Sequence, residues 1–469
     1  MRIVASVCAG YSRQKIAAAF VWQRELGRGV GPMDAPGSGR LRKCRTDTCR
    51  HERPTRPWRR SGSTRIRRLN SMPMRSARVA GEMWIASCGC LLLLVCWGLA
   101  YGMPALFPSL AERFSVPVWH FAACFSIGGA IYFSIGGLTG IVADRYGTPI
   151  VVTVGSLISA AGFLTASFAD SELVFAVGYI LGIGAGIGFA YAPVTAAVQV
   201  LTTDKKIVAA AVTSAGIGFG SMLLPGVISW LYHISNLEVT LRAMAAFAVV
   251  GILPVLALKG VVQKAPPPTG VSALRTNSNF QWAFVGQILF AIMFFVPFAH
   301  LVNIALWHGW TATEGVELIS FLGLGSTAGR FLIAPFAERM GACRTSALCA
   351  FITAIAMIGI AFADTHWMIW SSVGIFGLTY GGVLALSAPI VSETCGAANV
   401  GKNVGTLMGA RAIGVLLGPW SVGVAEWWLD NYTMPLLACA AIGLASAISM
   451  EQSGKRGYEA VQVVEVTPG

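Results

Sequence analysis

The 469-residue chain is 55% hydrophobic and 12% charged, with a mean hydropathy of +0.66, whereas an ordinary soluble domain carries about 25% charged residues. That composition excludes a soluble globular enzyme or binding module and places the chain in the membrane class. The net charge of +13 is no sign of a nucleic-acid partner: residues 1–80 hold 19 Lys and Arg against 4 Asp and Glu, a net of +15, while the rest, with 15 basic and 17 acidic residues, is −2.

In chain order, the first 80 residues are rich in Arg, Gly and Pro (Arg40, Arg42, Lys43, Arg45, then Arg59, Arg60, Arg65, Arg67, Arg68) and show no periodicity. They read as a disordered extension or the product of an upstream start, since Met72, Met74 or Met83 would begin a membrane protein more naturally. A transit peptide, also Arg-rich and acid-poor, is the alternative. From about residue 83 twelve apolar segments follow, each long enough to cross the ~30 Å hydrocarbon core. They fall near 84–108, 118–142, 148–169, 172–200, 206–232, 238–258, 281–306, 314–337, 342–363, 366–391, 402–425 and 431–450. The widest gap, 259–280, carries Pro266-Pro267-Pro268 with Lys259, Lys264 and Arg275, and it separates six segments from six. The expected organisation is therefore all-α and polytopic. A basic extension (1–80) precedes a six-helix half (81–258), a cytoplasmic linker (259–280), a second half (281–450) and a cytoplasmic tail (451–469).

Basic residues set the orientation. With the N-terminus inside, the cytoplasmic face receives Arg145, Lys205, Lys206, Lys259, Lys264, Arg275, Arg339, Arg344, Lys402, Lys455 and Arg456, and the outer face only Arg113 and Arg242. Both termini are expected in the cytoplasm, with the chain in an inner or plasma membrane. Gly140-Ile-Val-Ala-Asp144-Arg145-Tyr-Gly147 closes the second segment, and Ala334-Pro-Phe-Ala-Glu338-Arg339-Met-Gly341 closes the eighth, its counterpart in the other half. Each reads as a tight cytoplasmic turn in which glycine permits the reversal and the acid caps or pairs with a neighbouring helix. One such pair would be a solvated loop; two at matched places mark an internal repeat and a candidate gating element.

Two cations lie inside apolar segments, Arg330 in the eighth and Arg411 in the eleventh, while acids such as Glu314, Glu317, Glu338, Glu426 and Asp430 fall at segment ends or in loops. A charge at the bilayer centre costs at least ~2.5–3.5 kcal/mol, so it is seldom there without a function. Guanidinium offers a planar fork that grips a carboxylate bidentately. Tyr101, Tyr191 and Tyr380 can donate hydroxyl hydrogen bonds to such a ligand, or simply pack with the hydroxyl satisfied. His300 and Asn303, one turn apart, are polar site walls or, for His300, a satisfied core side chain. The glycine ladders (Gly182 to Gly188, Gly216 to Gly220, Gly405 to Gly418) lie inside spanning helices with no Lys-Ser/Thr after them, so they serve close helix packing and not phosphate binding. Cys88, Cys90, Cys96, Cys124 and Cys439 sit in apolar segments, and Cys44 and Cys49 lack partners at zinc spacing, so neither disulfide, metal nor cofactor is expected.

The chain resembles the major facilitator superfamily through the two loops above. Within it, the chain resembles the monocarboxylate-transporter branch, oxalate/formate exchangers included. That likeness is carried by Tyr101–Pro108, Tyr191-Ala-Pro-Val194 with Val198-Gln199, and Ala215–Gly220 ending at Pro225. In the second half it is carried by Pro297–Val302, Gly325–Arg330, Tyr380-Gly381-Gly382 and Gly409–Arg411 through Gly418-Pro419. The resemblance implies that Arg330 holds a substrate carboxylate, that Arg411 stands where oxalate exchangers place lysine, and that Tyr101, Tyr191 and Tyr380 line the site. Proton-coupled animal members carry an acid one turn before the first arginine; here that residue is Ser326. The two-aromatic pair expected before the loop between the fourth and fifth helices is replaced by Thr202-Thr203. The expected function is a secondary carrier for a small mono- or dicarboxylate, working as a monomer with a counter-anion or a proton. The alternative is an exporter of a drug or other organic solute.

Overall fold

The computed structural model describes residues 72–199, 206–258, 274, 277–396 and 400–465. The basic extension up to residue 71, the Pro266–Pro268 stretch of the linker, Lys205 and the last four residues lie outside the described residues. The described chain is helical: α1 Met72–Gly102, α2 Phe107–Phe114, α3 Trp119–Tyr146, α4 Thr148–Ser167, α5 Glu172–Gln199, α6 Lys206–Ile234 and α7 Leu237–Val250 form the first half. The second half comprises α8 Ser278–Trp307, α9 Ala312–Leu332, α10 Ala334–Met340, α11 Ala342–Ala361, α12 His366–Ala385, α13 Ser387–Cys395, α14 Val400–Leu429 and α15 Thr433–Glu465. Eleven helices are long and apolar enough to cross a membrane, or twelve when α9 and α10, bent by 42°, count as one span. The protein is thus a multi-pass membrane protein of two six-span halves.

Capping residues explain where several spans begin. Asn277 accepts from the Phe280 amide before α8, Asn236 from Val239 before α7, and Thr311 forms a reciprocal box with Glu314 before α9. Three expected spans are interrupted near proline. Between α1 and α2 the chain passes through a 3₁₀ turn, Met103–Leu106, containing Pro104; α9 breaks from α10 at Ile333, just before Pro335; and α12 breaks from α13 at Leu386, before Pro389. At the other boundaries, helix α1 starts at Met72, inside the stretch assigned to the extension, and α15 runs on to Glu465, into the assigned tail.

Glycines set the closest helix crossings. A methyl group added at Gly329 would lie 1.9 Å from the Leu378 carbonyl oxygen, and one at Gly381 would lie 2.0 Å from that of Ser326, so α9 and α12 touch backbone to backbone. Gly414 and Gly418 press α14 onto α8 in the same way, against the carbonyls of Ile288 and Ile292. The ladder in α14 is divided, however: methyl groups at Gly405 and Gly409 would meet nothing within 4 Å. Those two do not serve helix contact, contrary to the expectation for the whole ladder, because they occupy the opposite face of the helix.

The halves meet along α3 and α14 and along α6 and α9. The Ser126 hydroxyl accepts from the Trp420 amide at 3.2 Å, Gly129 faces Val415, and Gly218 faces Thr327. Phe133, on the same face of α3, packs edge-on against Phe295. Two turns beyond Phe133 on that face, a methyl at Gly140 would meet nothing within 4 Å. These contacts of α3 with the second half fall along Ser126–Phe133.

Candidate functional site

Arg330 and Arg411 are the only Asp, Glu, Lys or Arg side chains buried among the described residues, 7% and 1% exposed. The backbone contact of α9 with α12 places Arg330 beside the helical turn that carries Tyr380. The contact of α14 with α8 places Arg411 against Gln287. Their guanidinium groups lie close enough to repel one another, and both are within electrostatic reach of the Tyr191 and Tyr380 side chains.

The two arginines differ in what surrounds them. Arg411 donates from Nε to Gln287 Oε1 at 2.9 Å and from Nη2 to Ser387 Oγ at 2.8 Å, with Nη1 on the Met408 sulfur at 3.7 Å. Arg330 Nε and Nη2 are buried and have no partner among the described residues. The Ser326 hydroxyl one turn away is likewise buried and unpartnered. A buried guanidinium edge left unsatisfied is costly, and buried polar atoms in this condition concentrate at sites that take a ligand.

The tyrosines close one wall. The Tyr101 hydroxyl lies 3.2 Å from that of Tyr380, and the Tyr101 ring stacks on Phe298 with centroids 4.0 Å apart. Tyr191 packs edge-on against Trp97, which also touches Tyr101 and Tyr132. Trp97 Nε1 and the Tyr132 hydroxyl are further buried donors without partners among the described residues. Sequence reasoning did not single out Trp97, Tyr132, Gln287 or Ser387. The one available signal was Gln287 as the single polar side chain in the apolar stretch 282–299 of α8.

His300 and Asn303 are placed differently. His300 Nε2 donates to the Pro419 carbonyl at 2.8 Å, which fixes the neutral tautomer, and Nδ1 accepts from the Tyr432 hydroxyl at 3.2 Å. With both nitrogens engaged, the ring ties α8 to α14 and to the start of α15, as a satisfied core histidine does. Asn303 is 8% exposed, and its Nδ2 has no partner among the described residues.

The two loops share their geometry: Gly147 has φ 90° and ψ 142°, Gly341 φ 88° and ψ 154°, conformations that require glycine. Arg145, Glu338 and Arg339 are exposed, with Arg145 resting on the Tyr146 ring, and Asp144 is half-buried. The acid that caps the helix after the second loop comes from elsewhere. Glu393, on α13, accepts from the Ala342 and Cys343 amides at 2.5 and 3.3 Å.

A sequence profile described as Major Facilitator Superfamily matches residues 41–210 and 201–419. Monocarboxylate transporter 3 of Rattus norvegicus is 26% identical over 382 residues, covering 75% of this chain and 76% of that protein. An MFS-type transporter of Gibberella moniliformis is 23% identical over 325 residues, covering 66% and 78%. Among solved structures, the human organic anion transporter MFSD10 superposes with a TM-score of 0.61 at 15% identity, covering 79% of this chain and 99% of that one. A peptide transporter, POT, in complex with sulfate gives 0.66 at 15% identity, covering 79% and 94%. With twelve spans in two halves, paired glycine loops and a profile match over most of its length, the chain belongs to the Major Facilitator Superfamily of transporters.

Proposed function

We propose that the protein is a secondary carrier that moves a small organic anion by alternating access, its carboxylate gripped by the Nε and Nη2 edge of Arg330. The observation that carries this reading is that edge, buried, charged and without a protein partner beside Ser326. Tyr101, Tyr380 and Tyr191 supply further hydroxyls, and Trp97, Phe294 and Phe298 an apolar wall for the rest of the molecule. Two buried cations, with no buried acid among the described residues, repel cationic solutes and favour an anion. Relatives named as monocarboxylate transporters and a fold neighbour named as an organic anion transporter agree with the assignment.

The eleven-to-two distribution of basic residues supports a reading with both termini in the cytoplasm. The face that carries the loops at Gly147 and Gly341 is then cytoplasmic, and those loops govern closure of the halves there. Uptake by proteoliposomes of lactate, pyruvate, formate, oxalate and larger organic acids tests the assignment. Saturable uptake of at least one carboxylate is expected, and uptake of organic cations or neutral solutes alone would overturn it.

A further inference from the structure

Building on the carboxylate reading above, we propose that Gln287 and Ser387 determine substrate class by filling the carboxylate-binding edge of Arg411 from within the protein. An arginine grips a carboxylate through two parallel N–H groups, and Nε with Nη2 form one such edge. At Arg330 this pair is unpartnered. At Arg411 the same pair meets two neutral oxygens, Gln287 Oε1 at 2.9 Å and Ser387 Oγ at 2.8 Å, which stand where the two oxygens of a carboxylate would.

Ser387 is held by a second bond, whereas the Gln287 amide is oriented by Arg411 and by burial, its Nε2 having no partner among the described residues. Ser387 donates its own hydroxyl hydrogen to the Leu384 carbonyl at 2.9 Å, so its oxygen is left to accept from Arg411. That hydroxyl sits at the break between α12 and α13, where the chain turns toward α14. Gln287 is fully buried, and the adjacent Ile288 carbonyl is the atom against which Gly414 packs. Arg411 therefore keeps its positive charge, undiminished by an acid, while its edge is already occupied. It raises the potential at Arg330 without acting as a second fork. A dicarboxylate finds one cationic fork instead of two, and its second group would lie buried with only neutral donors such as the Trp97 indole and the Tyr132 hydroxyl, a costly state for a charge. Gln287 and Ser387 are positioning residues that set the ratio of mono- to dicarboxylate binding.

The test measures competition against labelled lactate uptake in proteoliposomes by unlabelled lactate and by malonate, which has the same number of carbons. In the wild-type protein malonate is expected to compete at least about tenfold more weakly, the scale of one charge-assisted grip. Gln287→Leu combined with Ser387→Ala exposes the Arg411 edge and should move the lactate-to-malonate ratio about tenfold toward malonate. If the double variant fails to insert, the wild-type ratio and Ser387→Ala, expected to shift the ratio in the same direction by less, carry the test. Equal competition by the two anions in the wild type would overturn the proposal, as would an unchanged ratio in an inserted variant. Failure of every carboxylate to be taken up or to compete is a separate result: it removes the carboxylate reading itself, and this proposal with it.

Discussion

The hydroxyls of Tyr101 and Tyr380 lie 3.2 Å apart and join the end of α1 to the last third of α12, one residue from each half of the protein. The ring of Tyr101 is stacked at the same time on Phe298 of α8. One side chain thus bridges the two halves and stands within electrostatic reach of Arg330. The contact between the halves and the candidate site share a residue.

Tyr101→Phe keeps the ring stack and removes the bridge. A neutral hydrogen bond contributes about 0.5–1.5 kcal/mol net, so the balance between the two openings should shift by about two- to tenfold. Labelling of single cysteines on the outer face, in the variant and the wild type, reads that shift directly. Identical accessibility in both would show that the bridge does not hold the halves.

Gly329→Ala should cost stability and transport together. Its methyl would sit 1.9 Å from a backbone oxygen, so α9 and α12 must part and Arg330 must move with them. Overpacking of this kind costs about 1–3 kcal/mol. Gly405→Ala, whose methyl meets nothing within 4 Å, should be neutral or gain up to about 1 kcal/mol from helix propensity. Thermal unfolding in detergent compares the two, and equal melting temperatures would contradict the packing described.

Much of the fold was legible because hydropathy reports burial in lipid directly, and because Gly147 and Gly341 are conformational requirements visible as sequence. The breaks at Ile333 and Leu386 were not, since an apolar run shows length but not whether a proline within it bends the helix or ends it. Arg330 and Arg411 stood out by their depth. Their difference did not, because it depends on Gln287 and Ser387, residues 124 and 24 positions away from Arg411 that only packing brings to it. His300 was ambiguous for the same reason: its partners, Pro419 and Tyr432, lie on other helices.

Gln287→Glu should weaken anion binding even though it leaves the shape of the site nearly unchanged. A carboxylate in place of the amide would pair with Arg411 and remove one of the two positive charges acting on the ligand. A loss of more than about tenfold in apparent affinity is expected from charge-assisted contacts of about 1.5–3 kcal/mol. Unchanged affinity would mean that Arg411 contributes no field at the site.

Coupling should follow from the same charges. Among the described residues no Asp or Glu is buried, and the position one turn before Arg330 is Ser326. Vesicles preloaded with a transported anion should therefore accelerate uptake of the labelled anion with no pH gradient imposed. A strict requirement for an inward proton gradient would point to a proton carrier elsewhere in the protein.

The most direct test of the anion site is carboxylate uptake by Arg330→Gln and Arg330→Lys proteins shown to be correctly inserted. Loss of the fork should weaken binding by more than about tenfold in Gln, and the point charge of Lys should restore only part of it. Unchanged carboxylate uptake in Arg330→Gln would contradict the assignment of this edge as the substrate contact.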